Sequence, residues 1–172
     1  MDTNDFRSLM ARVPAPVTVV TASLDGKPVG ATVSSFASLS LDPPLISIAL
    51  MAQSGLADVI AGSASFAVNL LGHCQEAIAM AFASRAEDRF SDVSWVWENG
   101  LPRIIGAASF MVCALHQEVQ GGDHRLMFGR VLSSHLTDEP PLVYTARAFG
   151  THSKLISDRM PTVRDAIRAC AI

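Results

Sequence analysis

Four separated segments of this chain carry side chains able to do chemistry, and between them they offer hydroxyls, a guanidinium and an imidazole. The first, Gly30 to Leu45, reads GATVSSFASLSLDPPL and sets Thr32, Ser34 and Ser35 on a short strand that Pro43 and Pro44 end with a rigid turn. On alternating strand geometry Thr32, Ser34 and Phe36 share one face, while Ala31, Val33 and Ser35 share the other. One face can then donate hydrogen bonds to an oxygen-rich ligand while the other packs inward; an ordinary half-exposed strand has the same pattern. In Gly122-Asp123-His124 two glycines and an aspartate lead into a histidine at a turn, where an imidazole can donate a proton or a hydrogen bond at physiological pH. A plain polar hairpin turn is the alternative. In Ser84 to Phe90, SRAEDRF, Arg89 offers a planar fork of donors for phosphate and Phe90 an aromatic face, though a solvated charged loop looks the same. In Ala52-Gln53-Ser54-Gly55, the Ser54 hydroxyl and free backbone N–H groups at a helix start can hold phosphate, or Ser54 is simply an N-cap.

Positioning these groups calls for a mainly β scaffold. Asp2 or Thr3 can cap a first helix in which Phe6, Leu9, Met10 and Val13 repeat at i, i+3, i+4 and i+7, a spacing that packs one face, and Pro14 and Pro16 stop it. Val17 to Ser23 reads as a strand, and Asp25-Gly26-Lys27-Pro28 supplies the turn from which the hydroxyl-bearing strand returns as a hairpin. Leu45 to Leu50 and Phe66 to Leu71 read as buried strands. Ser54, Asp58 and Ile60 mark a short helix closing at Gly62, and Gln75 to Ala83 suits another. Arg85 to Asn99, with Trp95 and Trp97 among charges, reads as irregular. Ser109 to Val119 and Leu126 to His135 flank the Gly121-Gly122 turn as two long antiparallel strands. Leu142 to Ala148 reads as a last strand, and Thr162 can cap a helix from Val163 to Ala171. The expected fold is one domain over residues 1–172, a closed or nearly closed antiparallel β-barrel with peripheral α-helices. Neither GxGxxG after a strand nor GxxxxGK[ST] is present, so a dinucleotide would have to be held by another device.

The bulk properties narrow the class further. A chain of 172 residues with 49% hydrophobic content supports a sizeable core, and its apolar excess points to an oligomer interface. The 13 basic and 16 acidic residues are spread without long runs, which leaves no electrostatic footprint for nucleic acid or an anionic membrane. The N-terminus carries Asp2, Asp5 and Arg7 instead of a basic region followed by an apolar one, so a cytoplasmic soluble protein is expected. Cys74, Cys113 and Cys170 are odd in number and far apart, which reads as packing thiols in a reducing compartment. A metal or haem centre drawn from His73, His116, His124, His135 and His152 with Cys74 or Cys113 lacks the short ligand spacing of such sites, and none is expected.

A longer series of marks runs from Phe6 to about Phe149. It includes Met10-Ala11, Pro16 to Thr21, Gly30 to Phe36, Ser38, Ser40 to Pro44, Phe66 to Leu71, Phe82, Arg89-Phe90, Gly106-Ala107, Gly122-Asp123-His124, Gly129-Arg130-Val131 and Pro141 to Tyr144. In this order they resemble the short-chain flavin reductase family, the reductase components of two-component flavin-dependent monooxygenases, which share the flavin-binding split-barrel fold. Met10 to Ala15 is similar to reductases that serve aromatic polyketide hydroxylases. The resemblance implies a homodimeric NAD(P)H-dependent flavin reductase. FMN or FAD would lie across the barrel and dimer interface, take hydride at N5 from NADH or NADPH, and leave for a partner monooxygenase. It further implies that Thr32, Val33, Ser34 and Ser35 hold the isoalloxazine edge and ribityl chain, that Leu50 and Met51 add backbone contacts, and that Ser54 and Arg89 hold phosphate. Phe90 would pack on the flavin, and His124 would sit by the nicotinamide. Asn69 is implied as a ligand contact, with a buried amide bonding backbone as an equal alternative.

Two departures from the family pattern stand out. Gln53-Ser54-Gly55-Leu56 replaces the usual Ser-Ser-x-Thr phosphate segment, which removes two hydroxyls, and the tail over residues 150–172 lacks family marks. A non-catalytic or sensory flavin binder on the same fold is the nearest alternative function.

Overall fold

The computed structural model describes residues 1–152, and the helix expected from Val163 to Ala171 lies outside the described residues. In chain order the elements are α1 (Thr3–Met10), β1 (Ala15–Pro16), β2 (Thr18–Leu24), β3 (Lys27–Val33), β4 (Ala37–Leu41), β5 (Pro44–Met51), α2 (Gly55–Ser63) and β6 (Ser65–Leu70). There follow α3 (Glu76–Ala83), β7 (Trp95–Glu98), β8 (Leu101–Ile104), β9 (Ser109–Gly121), β10 (His124–Leu136), β11 (Val143–Thr145) and β12 (Ala148–Gly150).

Seven strands form one antiparallel sheet in the order β3-β2-β6-β9-β10-β5-β4. Its most deeply buried run is the Val and Thr stretch of β2, which lies next to the edge strand β3 and is covered on both faces. Val20 packs into a cluster with Ile48, Ile60, Phe66, Val68 and Met127, while Val19 packs into a second with Leu71, Phe82, Ile104 and Leu142. β-branched residues suit such a strand because their stiff side chains fill a pleated surface on either side. The β2–β3 turn uses Asp25 and Gly26, both at positive φ, as a two-residue hairpin requires. Gly129 lies where β10 shifts register against β9, and a Cβ there would come within 2.5 Å of the Phe66 ring. The register of that strand thus depends on a missing side chain.

The structure departs from the sequence-based expectation in several places. The segment read as irregular contains the hairpin β7–β8, turned by Asn99 and Gly100 at positive φ. The last strand, expected as one piece from Leu142 to Ala148, is the tight hairpin β11–β12, with Ala146 and Arg147 at positive φ and β1 paired alongside. The hydroxyl-bearing strand ends at Val33, so alternation does not continue through Ser34 to Phe36. α1 forms as expected but buries none of its residues, because the apolar repeat specifies a face and not what covers it. The barrel is not closed by backbone pairing among the described residues: β3 and β4 remain the edges of the sheet. The end of β3 instead meets β5 through Ser35, whose hydroxyl accepts from Ala49 N–H at 2.9 Å and donates to Ala49 C=O at 3.0 Å. No helix among the described residues is long and apolar enough to cross a membrane.

Candidate active site

The ends of β3, β5 and α3, the start of α2 and the start of β10 converge on one cavity of about 1040 Å3. Register places its parts. The β5–β10 ladder pairs Met51 with His124 and Leu50 with Arg125, and Ala52 N–H donates to Asp123 C=O at 2.9 Å, so the Gly-rich turn stands beside the mouth of α2. The Thr32 hydroxyl donates to Ala79 C=O at 2.6 Å and fastens the end of β3 to α3. Arg89 Nη1 donates to Gly30 C=O at 2.8 Å, which anchors the guanidinium at the same strand, while its Nε is buried without a hydrogen-bond partner.

The N-terminus of α2 borders the same cavity. Ser54 occupies the N-cap in extended conformation, yet its hydroxyl makes no capping bond; Ala57 N–H and Asp58 N–H donate to Ser54 C=O, so the hydroxyl and the N–H groups of Gly55 and Leu56 are what the helix start offers an anion. Asp58 in that same turn would repel an anion, but its carboxylate lies 2.6 Å from Arg125 Nη1. Arg125 also grips Glu118 through Nε at 2.6 Å and Nη2 at 3.0 Å. That hydrogen-bonded pairing holds the Glu118 carboxyl below its ordinary range and raises the guanidinium above its own. The network therefore pins α2 to the β9–β10 ribbon and neutralises the one acidic group in the helix's first turn.

His124, beside Met51 and the start of α2, also lines the cavity, with Nδ1 at 2.7 Å from Asp123 Oδ1. That hydrogen bond holds the Asp123 carboxyl below its usual range, and it orients the ring so that Nε2 is left for a ligand.

Thr32, Val33, Ser34, Ser35, Leu50, Met51, Ser54, Arg89 and His124 thus all border one cavity. Two expected contacts do not. Asn69 is wholly buried within the sheet: its amide donates to Val19 C=O at 3.1 Å and to the Thr21 hydroxyl at 3.2 Å, and accepts from Ile104 N–H at 2.8 Å. Phe90 is buried behind Phe82, in edge contact at 4.8 Å between ring centres, and it is Phe82 that faces the cavity. Phe6, Met10, Gln53 and Arg85 also line the wall. Of these Arg85 was the most accessible to sequence reasoning, since it lies four residues before Arg89 in the same charged stretch. A second cavity of about 670 Å3 shares Thr32, Ser34 and Ala83 with the first and reaches the β11–β12 hairpin at Tyr144 and Phe149.

The larger cavity sits at the top of the range of roughly 300–1,000 Å3 usual for ligand sites. With the start of α2, the Arg89 guanidinium and apolar side chains all on its lining, it fits a planar ring carrying a phosphorylated chain. Residues 10–153 match the family model described as the flavin reductase like domain. The chain belongs to this family. Among its relatives, the reductase component of 4-hydroxyphenylacetate 3-monooxygenase from Thermus thermophilus is 39% identical over 145 residues, covering 84% of this chain and 93% of that protein. The solved structure of the flavin reductase PheA2 superposes with a TM-score of 0.83 at 33% identity, covering 89% of this chain and 99% of the other. A Streptomyces globisporus NADH:FAD oxidoreductase, solved with NAD and FAD fragments, gives 0.85 at 32% identity over 88% of this chain and 93% of that one.

Proposed function

We propose that this flavin reductase-like chain is an NAD(P)H:flavin oxidoreductase that reduces FMN or FAD and hands the reduced flavin to a partner monooxygenase. The observation that carries this reading is the convergence of Thr32 to Ser35, Leu50-Met51, Ser54, Arg89 and His124, far apart in sequence, on one cavity. Membership of a family whose named relatives are reductase components of monooxygenases supports it.

When bound, the flavin supplies N5 as hydride acceptor and the nicotinamide supplies C4 as donor. The chain's own residues orient and balance charge. Main-chain groups at Ser34 and Ser35, where β3 stops pairing, and Leu50 with Met51 line the cavity and would hold the flavin ring. Ser54 and the start of α2 receive phosphate, with Arg89 supplying the counter-charge. His124, oriented by Asp123, places Nε2 at the nicotinamide side and can hold a proton there. Holding the two rings in the orientation for hydride transfer would supply most of the gain. In this reading the sheet is a split barrel whose β3–β5 seam is bridged by Ser35, the domain is single, and the exposed Leu41, Leu132 and Leu136 belong to a homodimer interface in a cytoplasmic enzyme.

The test is an anaerobic titration of the purified chain with NADH in the presence of FMN and, separately, FAD, following loss of the oxidised flavin's visible absorbance. Catalytic bleaching of at least one flavin is expected. A chain that binds flavin and bleaches neither is a flavin-binding protein without turnover, and the reductase reading fails.

A further inference from the structure

We propose that Cys74 is a peroxide-reactive thiol, a modification site in which His73 takes the thiol proton and Glu139 supports the imidazole. The sequence alone read all three cysteines as packing thiols, but only Cys113 is buried among the described ones; Cys74 is exposed. Its Sγ lies 3.2 Å from Nε2 of His73. On the far side of the ring, Nδ1 is buried without a hydrogen-bond partner and has Glu139 Oε2 at 3.8 Å. Thiol, imidazole and carboxylate therefore stand in line, in the order an activated sulfur nucleophile requires.

The arrangement is held rigidly. His73 N–H donates to Pro140 C=O at 2.8 Å, Gly72 N–H to Gln75 Oε1 at 2.9 Å, and Gln75 Nε2 to Ile105 C=O at 2.8 Å. Gly72 itself admits no side chain, because a Cβ would meet Gly106 C=O at 2.8 Å. Cys74 immediately precedes Gln75, the N-cap of α3. Cys113 offers the contrast within one molecule: burial pushes its thiol up to about 12 and shuts out solvent.

In the reaction, the thiol proton passes to His73 Nε2 and sulfur attacks one oxygen of hydrogen peroxide. An S–O bond forms as the O–O bond breaks, and the departing hydroxide recovers the proton from His73 and leaves as water. Sulfur is oxidised by two electrons to a sulfenic acid, and the peroxide is reduced. Reduced flavin that meets dioxygen in solution generates this oxidant, although the site requires only peroxide.

The full chain, reduced and freed of reductant, is incubated with hydrogen peroxide and dimedone, and labelling of the peptides holding Cys74, Cys113 and Cys170 is followed separately by mass spectrometry. Cys74 should label at least about tenfold faster than Cys113, and about tenfold faster than in the urea-unfolded chain, a modest return for an exposed base. His73→Asn should remove about that factor at Cys74, and Glu139→Gln a smaller part of it. Circular dichroism and melting establish that each variant is folded. The proposal fails if folded Cys74 labels no faster than unfolded, or if a folded His73→Asn chain labels at the wild-type rate; should that variant not fold, the folded-against-unfolded comparison decides alone.

Discussion

Replacing Asn69 by alanine separates a structural amide from a ligand contact. Asn69 in β6 is fully buried, and its carboxamide ties three elements together: Nδ2 reaches Val19 and Thr21 of β2, and Oδ1 receives Ile104 N–H of β8. In Asn69→Ala the Thr21 hydroxyl keeps its bond to Pro102 C=O at 2.7 Å, but the Ile104 N–H is left buried with no acceptor. One orphaned buried donor costs about 1–3 kcal/mol and the small void roughly 1 more, so the variant should lose about 2–4 kcal/mol of unfolding free energy. Urea unfolding at equal protein concentration, without flavin, measures that loss; flavin fluorescence quenching under native conditions measures affinity. The expected result is a clearly lower urea midpoint with flavin affinity within about threefold of wild type, because no side-chain atom of Asn69 borders the cavity. An unchanged midpoint combined with a loss of affinity of about tenfold or more would refute the structural assignment and return Asn69 to the ligand.

Three further outcomes follow from the same geometry. His124→Ala should lower NADH turnover by about ten- to a hundredfold with flavin affinity nearly unchanged, and steady-state kinetics that match wild type would exclude His124 from the reaction. Gly129→Ala should lower thermal stability by about 1–3 kcal/mol, since the added methyl meets the fully buried Phe66 ring and β10 must shift; a melting temperature equal to wild type would show that the bulge absorbs it. Arg125→Met should alter acid stability. Arg125 lowers the Glu118 carboxyl below 4.5, so that increment of stability is fully present above the unfolded value and is lost as pH falls through the folded one. Wild type should therefore lose stability on acidification below about pH 4.5, and the variant should show a shallower acid limb. Freed of its partner, Asp58 should also weaken flavin binding, most at low salt. Parallel acid limbs in the two proteins would count against the network.

What could be read from sequence was what is local. Asp25-Gly26 announced the β2–β3 hairpin, Gly121-Gly122 the β9–β10 ribbon, and the apolar runs Leu45 to Leu50 and Phe66 to Leu71 two strands inside the sheet's edges, because turn chemistry and strand periodicity act within a few residues. Asn99-Gly100 carried the same hairpin signal, but surrounding charges and tryptophans hid the short strands on either side. At β11–β12 no signal existed, since Ala146 and Arg147 adopt positive φ without being glycine or asparagine. The site followed the same division. Residue types marked Ser54, Arg89 and His124 one by one, while only the long-range β5–β10 register brought His124 beside Met51. Burial misled at Phe90, since sequence cannot say that Phe82 stands in front of it, while at Asn69 the structure chose the buried amide that the sequence had left open beside the ligand contact.

The hydroxyls of Thr32 and Ser35 carry that lesson into the chemistry. As residue types they looked like ligand donors, yet both are already engaged. Thr32 gives its proton to Ala79 C=O, and Ser35 satisfies both main-chain groups of Ala49. The reason lies in the sheet. β4 pairs with β5 only as far as Ala37 opposite Ser47, so Ala49 sits past the end of β4 and its N–H and C=O would otherwise face the cavity rim unpaired. One serine side chain replaces the missing ladder and fixes the backbone of residues 33–35 where strand pairing stops. A ligand at this rim therefore meets main-chain groups held in place on both sides, which recognise a ring edge without the entropic cost of ordering side chains. At the anion end the inventory is thinner, with Ser54, the α2 N-terminus and Arg89, and with glutamine in place of a hydroxyl at position 53. On the proposed function, rigid recognition of the ring combined with a sparse grip on phosphate would favour a flavin that is oriented well and retained briefly. That is the balance a reductase needs if its product must leave for a partner.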